Sequence, residues 1–321
     1  MRRLFALFAA LLILASFAPA ATAQDATPAA SPVAADCVSP EIPPGTPTPM
    51  EASPAADMEG MDDAATPEDD GPPPPEASPE IPVGEPAPDD VVAEVEAALQ
   101  NYANCLNAGD YVANAALYTE AGLLEECGTT NVYDGPMCFE GIPPITSVEA
   151  TDVQVHDDGR ISADITVQAG TFLLRFQDFF VVDENGVYLT DQSFDLPVPV
   201  PDSATVIEGE MVDYAFELSA PSAPAGDIAF TVTNNGEYPH EIVVLQLPEG
   251  ITIDDVFEDE SLFGQVQFFG FTYADPGAEA PPLVLVDMQP GVYTLICFID
   301  EPEGIPHVAR GMIVEFEVTA P

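Results

Sequence analysis

From Val206 onward the chain is strand and turn to its end, and this pattern limits the possible folds more than any other feature. Apolar or alternating runs at Val206–Leu218, Asp227–Asn234, Glu241–Leu247, Gln265–Tyr273, Leu283–Asp287, Val292–Phe298 and Met312–Thr319 are separated by Gly, Pro and Asn. Successive side chains of a strand face opposite ways, so each alternating run has one apolar face that a second sheet must cover. Seven or so short strands of this kind predict an all-β sandwich over residues 197–321. One helical turn is expected at Ile253–Phe257, and Ala274–Pro282 reads as a surface loop.

Within that region, Tyr293–Phe316 carries Cys297, His307 and Met312 on otherwise strand-like sequence. A thiolate, an imidazole and a weak thioether are donors that a copper centre takes from one loop, and such a centre needs a second imidazole. His240, in Asn234-Asn235-Gly236-Glu237-Tyr238-Pro239-His240, supplies it. The chain has three His, and two occupy the places this donor set requires. Cys and His also suit zinc. In a metal-free sandwich serving adhesion or scaffolding, the same residues would be ordinary buried or surface side chains.

The Asn-rich turn ending in Pro-His, the Tyr293-x-x-x-Cys297 strand end, the returning His307 and the Met312 that opens the last strand resemble the cupredoxin, or blue-copper, family. The resemblance covers about residues 203–320. It implies a Greek-key sandwich binding one type 1-like copper, with His240, Cys297 and His307 as strong ligands and Met312 as the long axial one. It also implies one-electron transfer or copper holding, a redox partner protein, and His307 as the electron port. Two departures stand out. Nine residues separate Cys297 from His307, a loop longer than in small electron carriers and comparable to that of copper nitrite reductases. Glu241 stands where the family often has Asn, so the hydrogen bond tying the two ligand loops is expected to be absent or different. Too few His are present for further copper centres, which argues against oxidase or nitrite reductase activity. A redox relay makes and breaks no bonds, so the reading is not an enzyme.

Upstream, Val91, Val92, Val95, Ala98, Leu99, Tyr102 and Leu106 recur with helical spacing, with Asp89 or Asp90 as cap and Gly109 as stop. Asp110 is placed to cap a second, shorter helix. Strands follow at Val148–Val155, Ile161–Gln168, Thr171–Val182 and Val187–Phe194, with hairpin turns at Asp157-Asp158-Gly159 and Asp183-Glu184-Asn185-Gly186. Helices and then an antiparallel sheet make an α+β arrangement. The phrases ALQNYANCLNAGDYVANAALYTEAG and FQDFFVVDENGVYLTD resemble the NTF2-like (SnoaL-like) cone over residues 89–196, a fold that hosts isomerases, hydrolases and non-catalytic binding modules. Asp178 falls on the otherwise apolar face of Phe172, Leu174, Phe176 and Phe180. It is either a general base or a structural partner of Arg175 or Tyr102. His156 sits at a turn and reads as exposed. Leu196–Asp202 reads as a stiff connector between the two domains.

The N-terminus has the order of a secretory signal peptide: Arg2 and Arg3, an apolar run to Phe17, and Ala21-Thr22-Ala23 before a cut near residue 23. No later run is long enough to span a membrane, so an exported protein is expected. Residues 24–88, rich in Pro, Ala and acids, read as a disordered linker. Its Met50, Met58 and Met61 have a thin likeness to copper-handling tails. With 56 acids against 5 cations the net charge is −51, which excludes nucleic acid and anionic membranes as partners. It fits a solvated acidic surface or a face for basic partners. Of five Cys, four precede the sandwich and can pair among themselves, leaving Cys297 over. A local Cys127–Cys138 bridge with Cys37–Cys105 would complete the set, although the spacing does not fix connectivity.

Overall fold

The computed structural model describes residues 37–42, 44–48, 84–301 and 304–320. The signal-peptide segment and the three tail methionines lie outside these residues. Strand β1 (Glu85–Pro86) leads into helices α1 (Asp89–Asn107), α2 (Tyr111–Ala115), α3 (Glu120–Cys127) and α4 (Gly135–Phe139). Strands β2 (Ile145–Val155), β3 (Ile161–Ala169), β4 (Phe172–Val182) and β5 (Tyr188–Asp195) follow. The C-terminal half holds β6 (Thr205–Val212), β7 (Ala215–Leu218), β8 (Ser222–Pro224), β9 (Gly226–Asn234), β10 (His240–Gln246) and a short helix α5 (Ile253–Glu258). It ends with β11 (Gln267–Ala274), β12 (Leu283–Met288), β13 (Gly291–Ile296) and β14 (Ile313–Thr319).

Helix α1 buries Val95, Leu99, Ala103 and Leu106, one stripe at 3.6-residue spacing, against β2 and β3. Pro88, not Asp89 or Asp90, takes its cap position. The two acids lie in the first turn instead, where their charge complements the helix dipole. Asp110 caps α2 through the Ala113 N–H at 3.1 Å. The short helices α3 and α4 carry too little apolar periodicity to be read from sequence; α3 is capped by Thr119 and closed by Gly128 at φ 72°.

Two sheets result. One runs β1-β2-β3-β4-β12-β9-β6-β7, with β5 also on β4; the other runs β11-β10-β13-β14-β8. The core of the sandwich lies between β6, β9 and β12 on one side and β10, β13 and β14 on the other, with Ile207, Phe230, Leu285, Ile242, Leu295 and Phe316 all buried in it. Strand β4 is shared by both halves: Phe172 at its start pairs with Leu285 of β12, and the Val286 N–H reaches the Thr171 carbonyl at 2.8 Å. The connector is packed rather than free, since Val198 is buried beside Ala229 and Val284.

Three further expectations change. The run Val206–Leu218 is not one strand but the hairpin β6–β7, broken at Asp213 and Tyr214. His156 is buried, not exposed: Gly84 and the Phe179 ring lie against it, and its Nε2 is 2.9 Å from Ser162 Oγ. The linker is tied down in part, by the Cys37–Cys105 disulfide, by Val38–Asn101 hydrogen bonds of 2.7 and 2.8 Å, and by Thr48 on Asp134. The second disulfide joins Cys127 to Cys138, and Cys297 is a buried free thiol. No helix among the described residues is long and apolar enough to cross a membrane.

Candidate metal centre

Strands β10 and β13 are antiparallel neighbours, with Val243 opposite Ile296. That register puts His240, the first residue of β10, at the same end of the sheet as Cys297, the residue after β13. The long loop then folds on itself. The Glu301 N–H bonds the Ile305 carbonyl at 2.9 Å, and Gly304 supplies the left-handed φ of 76° that the turn needs. The His307 N–H returns to the Ile299 carbonyl at 2.8 Å and the Val308 N–H to the Cys297 carbonyl at 3.0 Å. These bonds turn the loop back on itself, and His307 comes back to Cys297 despite its length. Gly311, at φ 104°, ends the turn His307–Arg310 and starts β14.

The three donors converge. His240 Nδ1 is 3.0 Å from His307 Nδ1, and Cys297 Sγ is 3.4 Å from the same nitrogen. The ligand atoms of all three lie within 4.8 Å of one another, and the three residues have no exposed surface. Met312 is equally buried; its N–H bonds the His307 carbonyl at 3.1 Å and its carbonyl accepts the Cys297 N–H at 3.2 Å.

Around the donors lies a set of orienting contacts. Asp213 Oδ1, at the tip of the β6–β7 hairpin, is 2.7 Å from His240 Nε2, so the carboxylate holds that nitrogen's proton and leaves Nδ1 bare. The other Asp213 oxygen accepts the Glu237 N–H at 2.9 Å. Gly236 passes so close that a Cβ there would lie 2.6 Å from His240 Nε2 and closer still to Asp213. Asn234 shapes this turn, donating to the Tyr238 and Ala274 carbonyls at 2.8 and 2.9 Å. Glu241, 2% exposed, accepts the Phe298 N–H at 3.0 Å. The tie between the ligand loops is thus present, made by a carboxylate.

Burial sets the charge state of the set. It pushes the Cys297 thiol up to about 12 and Glu241 up to about 7. His240 is lowered by burial although Asp213 pulls the other way, and His307 by burial and then by His240. Without a bound cation the donors are two neutral imidazoles and a thiol. Such a set gives two lone pairs and one proton that a metal ion displaces. A soft, imidazole-binding ion fits it.

His307 Nε2 is buried without a hydrogen-bond partner among the described residues. Its ring lies under Tyr214, centroids 5.1 Å apart, and Tyr238, at 6.0 Å. The Tyr214 hydroxyl donates to Glu301, which also takes two hydrogen bonds from Arg310, at 2.8 and 3.2 Å. Asp213, Tyr214, Tyr238 and Arg310 escape a sequence reading. The available signal was Asp213 itself, which continues the inward parity of Ile207 and Met211 and so places an acid on an apolar face.

No protein-family model matches the chain, and no curated protein does. Among solved structures it is similar to dithionite-reduced auracyanin from the photosynthetic bacterium Roseiflexus castenholzii. That match has 22% identity, spans 36% of this chain and 97% of the other, and has a TM-score of 0.26. Auracyanin A, a "blue" copper protein from Chloroflexus aurantiacus, matches at 13% identity over 37% of this chain and 100% of that one, TM-score 0.26. A multi-copper oxidase from Pediococcus acidilactici matches at 13% over 50% and 39%, TM-score 0.25.

Proposed function

We propose that this chain binds one copper ion at His240, Cys297 and His307 in a cupredoxin-like domain, with Met312 as the weak axial donor, and that it passes single electrons or holds the ion. The observation that carries this reading is the convergence of three fully buried donors, two nitrogens and a sulfur, at one end of a rigid sandwich. Copper bound there would supply a one-electron couple, since thiolate and imidazole accept both of its oxidation states. The chain's own residues do the rest. Asp213 fixes the His240 tautomer, Glu241 locks the β10 end to the Cys297 loop, and Tyr214 and Tyr238 keep water from His307.

His307 has no surface of its own, so electrons would enter through the tyrosine rings above it, and a redox partner protein would dock over Tyr214 and Tyr238. Two disulfides fit an oxidising compartment outside the cytoplasm. The N-terminal half is read as an NTF2-like α+β domain.

Copper titration of the full chain followed by visible absorption tests the proposal. An intense thiolate-to-copper charge-transfer band is expected, lost in Cys297→Ser. No such band, or one that persists in Cys297→Ser, overturns it.

A further inference from the structure

Residues 24–88 hold eight Ser and Thr, and a Pro follows every one of them. Pro makes up 17 of those 65 residues, too few for composition alone to produce the pairing, and from Asp89 onward no Ser or Thr precedes Pro. A following Pro holds the hydroxyl residue in extended backbone and brings no N–H for the hydroxyl to bond. Ser and Thr set among Pro is the composition of O-glycosylated stalks. Three of the eight, Ser39, Thr46 and Thr48, lie among the described residues, on the segment that Cys37 and Thr48 fasten to the rest of the protein. Ser39 and Thr46 are exposed, and neither hydroxyl has a hydrogen-bond partner among the described residues. The backbone beside them is pinned: Asn101 exchanges two hydrogen bonds with Val38, and Asn131 Nδ2 donates to the Thr46 carbonyl at 3.0 Å. Thr48 differs, because its hydroxyl donates to Oδ2 of the buried Asp134 at 2.7 Å.

We propose that Ser39 and Thr46 are O-glycosylation sites and that Thr48 is spared. The proposal rests on the export reading and is independent of the metal centre. In the step itself the Ser or Thr hydroxyl oxygen attacks the anomeric carbon of a phosphate-linked sugar donor. The bond from that carbon to the phosphate oxygen breaks, the phosphate leaves with the electron pair, and the hydroxyl proton passes to a base of the transferase. An extended, exposed acceptor with an unbonded hydroxyl is what such an enzyme can take into its cleft, and Ser39 and Thr46 are both of this kind. A sugar on Thr48 would remove the proton that the hydroxyl gives to Asp134, and would set bulk against a buried carboxylate. Phosphate is the poorer fit to the same hydroxyls. It would add negative charge to a chain already at −51, and at Ser39 it would stand two residues from Glu41. A neutral sugar adds bulk and solubility along the segment without that repulsion.

The test takes the full chain from the cells that naturally make it, fractionates them, and measures the intact mass of the protein by mass spectrometry. Reduction of the disulfides and Glu-specific proteolysis then cut after Glu41, so Ser39 falls on one peptide and Thr46 with Thr48 on another. Electron-transfer fragmentation separates Thr46 from Thr48. The expected result is a mass above that of the polypeptide by whole sugar residues, with sugar on Ser39 and Thr46 and none on Thr48. In Ser39→Ala with Thr46→Ala, exposed positions whose loss leaves the fold intact, those increments should vanish from the intact mass. An exported chain with bare Ser39 and Thr46, phosphate there in place of sugar, or sugar on Thr48 of the native chain would each overturn the proposal and leave export standing. A chain found only inside the cell with its leader intact would overturn the export reading and the proposal with it.

Discussion

Replacing Asp213 by Asn keeps the side chain's shape and changes what His240 is held to. In the native protein a carboxylate oxygen 2.7 Å from His240 Nε2 can only accept, so the ring proton sits there and Nδ1 faces His307 at 3.0 Å with its lone pair free. An amide at the same place can turn its NH₂ toward Nε2, and the ring then carries its proton on Nδ1, inside the metal's space. Loss of such an outer partner typically costs about 10- to 100-fold in metal affinity, or roughly 1.4–2.8 kcal/mol. Asp213 is 23% exposed, so water replaces part of what it provides and the lower end is expected, about tenfold. Competition against a chelator of known affinity reads this directly. Asp213→Ala, which leaves the tautomer unguided, should fall between the native chain and the Asn variant. Identical affinity in the native and Asn chains would refute the orienting role of the carboxylate.

Gly236→Ala should damage the same pair more severely. A methyl 2.6 Å from His240 Nε2 must push the ring or the hairpin away, so metal affinity should drop further than in Asp213→Asn, measured by the same competition. Tyr214→Phe removes the hydroxyl that joins the cap to Glu301, and copper removal by an excess of chelator should become faster in stopped-flow measurements. Burial alone would raise Asp134, but its bonds to Thr48 and Thr129 outweigh that and hold its pKa below 3.8. Its contribution is therefore complete above about pH 4 and lost as the pH falls through that lowered value. Asp134→Asn should lower the melting temperature at pH 6, with the difference from the native chain shrinking as the pH falls through the lowered Asp134 value. Removing the Cys37–Cys105 bridge, which spans 68 residues, should cost about 4 kcal/mol in the unfolded-chain entropy picture, measured by denaturant titration of Cys37→Ser with Cys105→Ser.

The cluster of His240, Cys297 and His307 was legible because such a cluster's chemistry allows few residue types, and because the chain offers only three His to choose from. Strand positions were legible for a related reason: alternation and Gly or Asn turns specify β2 to β5 and β9 to β14 locally. What stayed hidden depends on contacts far apart in sequence. Nothing near Val206–Leu218 announces a hairpin tip, because the two-residue turn at Asp213 and Tyr214 contains neither Gly nor Asn. His156 looked exposed because Gly84, which lies against it, is some seventy residues earlier in the chain. The tail around Cys37 lacks the apolar residues that signal order, and it is held by a disulfide and side-chain hydrogen bonds instead. Helices α3 and α4 are shorter than the window over which a helical period can be recognised.

The order in which the donors occur along the chain has a consequence for how the centre is filled. Cys297, His307 and Met312 all follow His240 in the chain, and β14, which closes the loop by pairing with β13 and β8, follows them in turn. The edge of β4 likewise waits for β12. Synthesis therefore delivers the thiol and the second imidazole only after the strand that positions His240, and no partial chain holds more than one of the three donors until Cys297 emerges. A metal held by all three donors, as proposed, would therefore be bound only after His307 has been made and has folded back to Cys297.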